Sequence, residues 1–193
     1  MNNTEIFIEL VDDNIHRLGI SDLMKWLMSE SDFFEAPAST KYHGSYKGGL
    51  VDHSLEVFHQ MFQLANLYNM RTDANSKELE SICIVSLFHD ICKHNMYLES
   101  TRNVKNNETG KWESVPCYII NPDAPDFGAH GAYSVYILNQ YMFLTADETK
   151  AIYHHMGAWD MGKYDNPSVA YESSKLSWLL HVADEAATYI AGI

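Results

Sequence analysis

The 193-residue chain is 46% hydrophobic and 20% charged with only 5 Pro and 10 Gly, a globular composition that excludes a disordered or low-complexity protein. Its formal net charge of −13, from 26 acids against 13 bases, repels phosphate backbones and argues against a general grip on long DNA or RNA. No apolar run approaches the ~18 residues of a membrane span, and the start Met1-Asn-Asn-Thr-Glu-Ile6 lacks the basic-then-apolar pattern of a secretory signal.

Apolar residues at Ile6, Phe7, Leu10, Val11, Ile15 and Leu18 predict a helix over 4–17, with Thr4 as N-cap and Gly19 as the stop. Leu23, Met24, Trp26 and Leu27 predict a second short helix over 21–29. Both are expected to pack on the core. Residues 31–49 read as a loop, broken by Pro37, Gly44 and the pair Gly48-Gly49. Residues 50–68 carry one wide apolar face and predict a helix. The unbroken run from Ser81 to Phe88 fits a buried strand by periodicity alone. Its length and the polar start at Ser76 favour a buried helix over 77–94.

Between Asn95 and Phe127 the character changes, with turn residues in the middle and β-favouring flanks. A small hairpin around 101–120, turning near 107–110, is predicted there. Helices resume over 130–143, 145–156 and 172–190. The reading is an all-α helical bundle with a β-hairpin insertion, in one domain over 1–193 with its core at about 40–190. Trp26 and Trp178 are assigned to that core. No internal repeat is visible. Cys83, Cys92 and Cys117 are odd in number and show no CxxC spacing, so they read as buried reduced thiols of a cytoplasmic protein.

The pair His89-Asp90 closes the apolar run. Alone it means little, because 10 His among 193 residues give roughly 0.7 His-Asp pairs by chance. Its companions are more informative: His53 after Gly48-Gly-Leu-Val-Asp, then His130, the pair His154-His155, and Asp184 in an apolar helix. Neutral imidazoles and carboxylates on helices suit one or two divalent ions with positions left open for water and substrate. A carboxylate such as Asp184 on an apolar face is costly unless paired or metal-bound.

Taken in order, Gly49-Leu-Val-Asp-His53, Leu87-Phe-His-Asp-Ile-Cys-Lys93, Phe127-Gly-Ala-His-Gly131, His154-His155 and Leu180-His-Val-Ala-Asp184 resemble the HD-domain superfamily of metal-dependent phosphohydrolases. The resemblance covers roughly residues 40–190, and the chain is similar to small single-domain HD hydrolases of bacteria and phages. His154-His155-Met-Gly157 with Asn166-Pro167 is also similar to the HD domain of bacterial 3′–5′ exoribonucleases.

The resemblance implies His53, His89, Asp90 and Asp184 as core metal ligands, with Asp90 able to bridge two ions. It implies His130 and His154 as ligands of a second ion, with His155 as a replacement or second contact. Asp90, Lys93, His130 and His155 are the expected catalytic group, Lys93 facing a phosphate or the bridging water. The expected cofactor is one or two divalent ions among Mn, Fe, Mg, Co, Ni and Zn. Ala129 and Cys92 stand where relatives frequently carry Gly. The expected activity is hydrolysis of a phosphoester of a nucleotide or similar small substrate through a metal-activated water. Exonuclease, cyclic-nucleotide phosphodiesterase, two-iron oxygenase and non-catalytic binding readings stay open beside it.

Lys41, His43 and Lys47, in the loop before His53, are expected to meet substrate phosphates together with Lys93. Trp159 is expected to stack on a base, as could Tyr42 and Tyr118. His181 reads as packing or support for the site. The expected partner is a small phosphorylated substrate, with no long nucleic acid and no membrane, and with a homodimer left open.

Overall fold

The computed structural model describes residues 2–125, 127–160 and 165–193. Among them are eight α-helices and one two-stranded antiparallel sheet. The helices are α1 (Asn3–Asn14), α2 (Ile20–Ser29), α3 (Gly49–Leu67), α4 (Lys77–Phe88), α5 (His130–Leu138), α6 (Ala146–Tyr153), α7 (Pro167–Ser173) and α8 (Lys175–Ala186). The strands β1 (Tyr97–Lys105) and β2 (Trp112–Ile120) lie between α4 and α5. No described helix is long and apolar enough to cross a membrane.

Helix α4 lies at the centre, packed against α1, α3, α6 and α8. Ile82 to Phe88 are all buried, which explains why its sequence is apolar all round rather than striped. Ser76 caps it by accepting from the Leu79 amide at 3.1 Å. The helix ends at Phe88, earlier than the predicted 94, and passes through His89 and Asp90 into a 3₁₀ turn at Ile91–Lys93. That tightening at the end of the apolar run brings Asp90 and Lys93 onto one side.

Other boundaries also shift for local reasons. Helix α1 is capped by Asn2 rather than Thr4, because Asn2 and Glu5 form a reciprocal capping box. It ends at Asn14, where Ile15 turns extended and enters the core, and Gly19 opens α2 instead of ending α1. The predicted 172–190 helix is two helices followed by a π-helical turn at Ala187–Ala191. Asn166 caps α7 with Pro167 in its first turn, and Ser174 caps α8. Trp178 lies on the outer side of α8 at 36% exposure, edge-on to Tyr68 at 5.4 Å, because Leu176, Leu179, Leu180 and Ala183 occupy the buried face. The core assignment of Trp178 is corrected accordingly.

The hairpin is longer than 101–120, pairing from Tyr97 opposite Ile120 to Lys105 opposite Trp112. Its turn is held by the Asn106 side chain, which accepts from the amides of Glu108 and Thr109 at 2.9 and 3.1 Å.

Two glycines allow backbone approaches that position the site. A Cβ on Gly49 would stand 2.0 Å from the Gly44 carbonyl oxygen, so only glycine lets the 39–47 loop press against the start of α3. A Cβ on Gly131 would stand 2.3 Å from the Tyr153 carbonyl oxygen, so glycine lets α5 cross closely over the end of α6. The first approach sets His43 beside His53, and the second joins the helix starting at His130 to the one ending before His155.

Candidate metal centre

Four helical elements converge on one buried cluster. His53 comes from the second turn of α3, His89 and Asp90 from the end of α4, His155 from just past α6, and Asp184 from α8. The three histidines and Asp90 are at most 2% exposed, and Asp184 is 7% exposed. His53 Nε2 lies 3.1 Å from Asp184 Oδ1 and 3.7 Å from Asp90 Oδ2. His89 Nε2 lies 3.4 Å from Asp90 Oδ2, while His155 Nε2 lies 3.4 Å from Asp90 Oδ1. Asp90 thus presents one oxygen to His53 and His89 and the other to His155.

The histidines share one orientation. Nδ1 of His53 donates to the Ile193 carbonyl at 2.9 Å, Nδ1 of His89 to that of Ser86 at 2.9 Å, and Nδ1 of His155 to that of Ile152 at 2.7 Å. Fixing Nδ1–H on a carbonyl turns the Nε2 lone pair towards the centre, the arrangement that orients metal-binding imidazoles. His181 adds a further layer, donating from Nδ1 to the His155 carbonyl at 2.7 Å and stacking on Tyr171.

These orientations test whether a cation fits. Nε2 of His53 and His89 stand 3.3 Å apart with both Nδ1 atoms donating elsewhere. Two facing lone pairs at that distance repel unless a proton or a metal cation lies between them. Burial pushes the His89 pKa down, and the pull of Asp90 and Asp184 does not reverse it, which disfavours a second proton on His89. Two nitrogens held about 2.0–2.1 Å from a tetrahedral ion stand about 3.3–3.4 Å apart, which agrees with the spacing found. Asp90 Oδ1 and His155 Nε2 are buried without a hydrogen bond; their 3.4 Å separation is an electrostatic contact. Unsatisfied buried groups are costly, and a divalent ion coordinated by both satisfies them. The residues fit a metal.

Charge balance within the cluster is provided by Lys93, whose Nζ lies 2.6 Å from Asp90 Oδ2. Burial acts to lower the Lys93 pKa, but the Asp90 carboxylate more than offsets it and holds the ammonium charged. Burial likewise acts to raise the Asp90 pKa, and Lys93 and His89 overcome this, keeping the carboxylate well below its usual range. Asp184 is depressed in the same way, with His53 as the chief opponent of burial. Burial lowers His155 too, yet Asp90 leaves its pKa raised.

His130 begins α5, with Nδ1 3.7 Å from Cys92 Sγ, and these two form a further potential ligand group with Asp90. Cys92 was read from sequence only as a buried thiol; its partner is 38 residues away, so spacing gave no signal. His154 belongs to none of the potential ligand groups among the described residues. It closes α6 with its backbone amide, its carbonyl accepts from the Tyr171 hydroxyl at 2.8 Å, and its ring meets Tyr153 edge-on. The structure therefore brings His155 into the cluster in the place expected for His154.

Of the expected substrate contacts, Lys93 lies in the cluster itself, and His43 sits beside it with its ring centroid 5.0 Å from that of His53. Burial, then repulsion from His53 and Lys93, lowers its pKa to about 4, so it is neutral at pH 7. Lys41 and Lys47 instead line a 780 Å³ cavity with Arg102, Tyr118 and Glu99, and no member of the metal cluster reaches it. Lys47 is already paired on the surface with Glu35 at 3.0 Å. Trp159 is 77% exposed and lines a 530 Å³ cavity with Phe127, Tyr133, Met96, Cys92 and His130. That cavity, though smaller, opens onto the chemistry.

The family model of the HD domain matches residues 50–189. No curated protein and no solved structure matches the chain significantly.

Proposed function

Because the chain belongs to the HD-domain superfamily, whose members are mostly metal-dependent hydrolases, we propose that it hydrolyses a phosphoester of a nucleotide or similar small molecule. The observation that carries this reading is the buried His53–His89–Asp90–Asp184–His155 cluster with Lys93 held 2.6 Å from Asp90. His53, His89 and Asp184, sharing Asp90, would hold one divalent ion, and Asp90 with His130 would take part in holding a second, with His155 on the other side of the same carboxylate. A bound ion of this kind lowers the pKa of coordinated water towards neutrality and offsets negative charge on a phosphoryl group.

The protein's own part is positional and electrostatic. The backbone carbonyls at Ser86, Ile152 and Ile193 fix the imidazole rings before substrate arrives. Lys93 places a permanent positive charge at the rim of the cluster, where a phosphoryl oxygen gains from it. His43 is neutral at pH 7 and serves as a hydrogen-bond partner, not as a source of charge. The 530 Å³ cavity is of the size of small-molecule sites, and its Trp159, Phe127 and Tyr133 rings suit a flat base beside His130. A small phosphorylated substrate accords with the net charge of −13, which disfavours a long polyanion.

The test is phosphate or nucleoside release by the metal-loaded full chain from phosphomonoesters, nucleotides, cyclic nucleotides and short oligonucleotides. Turnover of at least one class, lost in Asp90→Asn, is expected. A fully metal-loaded protein inert towards the whole panel would overturn the reading.

A further inference from the structure

Two residues after Asp90, Cys92 sits 1% exposed in the 3₁₀ turn that follows α4. Its amide donates to Ser134 Oγ at 3.3 Å, tying this turn to α5, the helix that begins with His130. The result brings Cys92 Sγ to 3.7 Å from His130 Nδ1, with a carboxylate oxygen of Asp90 within 4.8 Å of both. A thiol donates weakly to an imidazole, so a hydrogen bond accounts for little of this juxtaposition. Coordination accounts for it better. Sulfur at about 2.3 Å and nitrogen at about 2.0–2.1 Å from one tetrahedral ion stand about 3.6 Å apart.

An independent observation points to a cation at the same carboxylate. Asp90 Oδ1, on the side away from Lys93, is buried without a hydrogen bond, as is His155 Nε2 facing it at 3.4 Å. Asp90 therefore has an unsatisfied oxygen facing His155, while its other oxygen serves Lys93, His53 and His89, and the same carboxylate groups with Cys92 and His130.

We infer that Cys92 is a thiolate ligand, with His130 and Asp90, of the second metal position, and that this position prefers a thiophilic ion such as zinc, cobalt or ferrous iron over magnesium. On binding, the sulfur–hydrogen bond breaks, its proton leaves to solvent, and the sulfur lone pair goes to the metal. Thiolate is a soft ligand poorly matched to magnesium, which takes oxygen. The inference rests on the metal centre of the preceding reading and not on which ester is cleaved.

The experiment is cobalt titration of the full chain followed by electronic absorption, with zinc X-ray absorption on the unaltered protein. Two cobalt equivalents are expected, the second bringing a thiolate-to-cobalt charge-transfer band. Cys92→Ser should abolish that band and weaken the second equivalent at least ~10-fold, whereas Cys117→Ser should leave both intact. The zinc-loaded unaltered protein should show a sulfur shell at about 2.3 Å, a measurement independent of whether Cys92→Ser folds. Cobalt bound without the band or sulfur shell overturns the inference and leaves the metal centre standing. A band that survives Cys92→Ser also overturns it. No metal binding at all overturns both readings, while the band without any hydrolysis overturns only the hydrolytic one.

Discussion

Replacing Lys93 by Met separates the electrostatic role of the ammonium from the packing of its stem. Methionine keeps most of the apolar chain and removes the charge 2.6 Å from Asp90 Oδ2. Asp90 is 2% exposed, so the variant leaves a buried carboxylate without its cation. Breaking a buried pair in this way costs about 3–5 kcal/mol. A 193-residue chain unfolds with an entropy of about 0.4 kcal/mol/K, at about 2.1 cal/mol/K per residue. The metal-free melting temperature should therefore fall by about 7–12 °C.

Metal should then act on the variant more strongly than on the unaltered chain. A divalent ion on Asp90 supplies the missing positive charge and no longer meets the repulsion of the ammonium. At free ion about 100-fold above Kd the gain is about 2.7 kcal/mol, or about 6–7 °C. The gap between the two proteins should narrow on saturation, while turnover of the saturated variant falls about 100-fold or more through loss of a charge facing the phosphoryl group. Thermal circular dichroism with chelator and with zinc, beside a steady-state assay, measures both. A metal-free variant as stable as the parent, or a gap that widens with metal, would refute the electrostatic reasoning.

The adjacent histidines should behave differently. His155→Ala removes a buried cluster member and should weaken metal binding at least ~10-fold, whereas His154→Ala should stay within about threefold of the parent by calorimetric titration; the opposite ranking would overturn the assignment of His155 to the metal centre. Away from the candidate metal centre, Glu148 is fully buried and accepts from both guanidinium nitrogens of Arg17 and from Ser81 at 2.6 Å. Burial raises its pKa, and these donors overcome it, leaving the folded value below the ordinary 4.5. Its contribution is thus present above about pH 4.5 and is lost as pH falls through the lower, folded value. Glu148→Gln should cost about 3 kcal/mol at pH 7 and show a flatter stability profile below pH 5 in urea denaturation. An equally steep acid profile in the variant would sink this assignment.

The centre of the fold was legible because α4 advertises itself: a capping serine followed by residues apolar all round is what a helix buried on every side requires. The histidines and Asp184 were legible as a set because their types suit one kind of chemistry and their order resembles one family. The choice between His154 and His155 was not. Both follow α6 within a single turn, and the backbone of His154 at φ −109°, ψ 13° decides which ring enters the cluster. The contact of Cys92 with His130 was equally hidden, since it depends on how α5 packs over the 3₁₀ turn. Helix α7 escaped notice because it is short and buries only Pro167 and Ala170, too few positions for a period to show.

The same local geometry recurs at two of the three candidate ligand histidines and is absent at the third. His89 and His155 each donate Nδ1–H to the carbonyl three residues earlier, Ser86 and Ile152, in the last turn of α4 and α6. Carbonyls of a last turn lack helical partners, so one segment supplies both the imidazole and the acceptor that aims it. His53 lies inside α3, where the carbonyls are already engaged in the helix. Its acceptor comes from Ile193, brought back by the turn at Gly192 and by the Ile193 amide donating to the Ala187 carbonyl at 3.1 Å. Orientation of His53 therefore depends on tertiary packing of α8 and the π-helical turn against α3, whereas His89 and His155 carry theirs locally. Loosening residues 187–193 should disturb the His53–Asp184 side of the centre while leaving His89 and His155 aimed at Asp90.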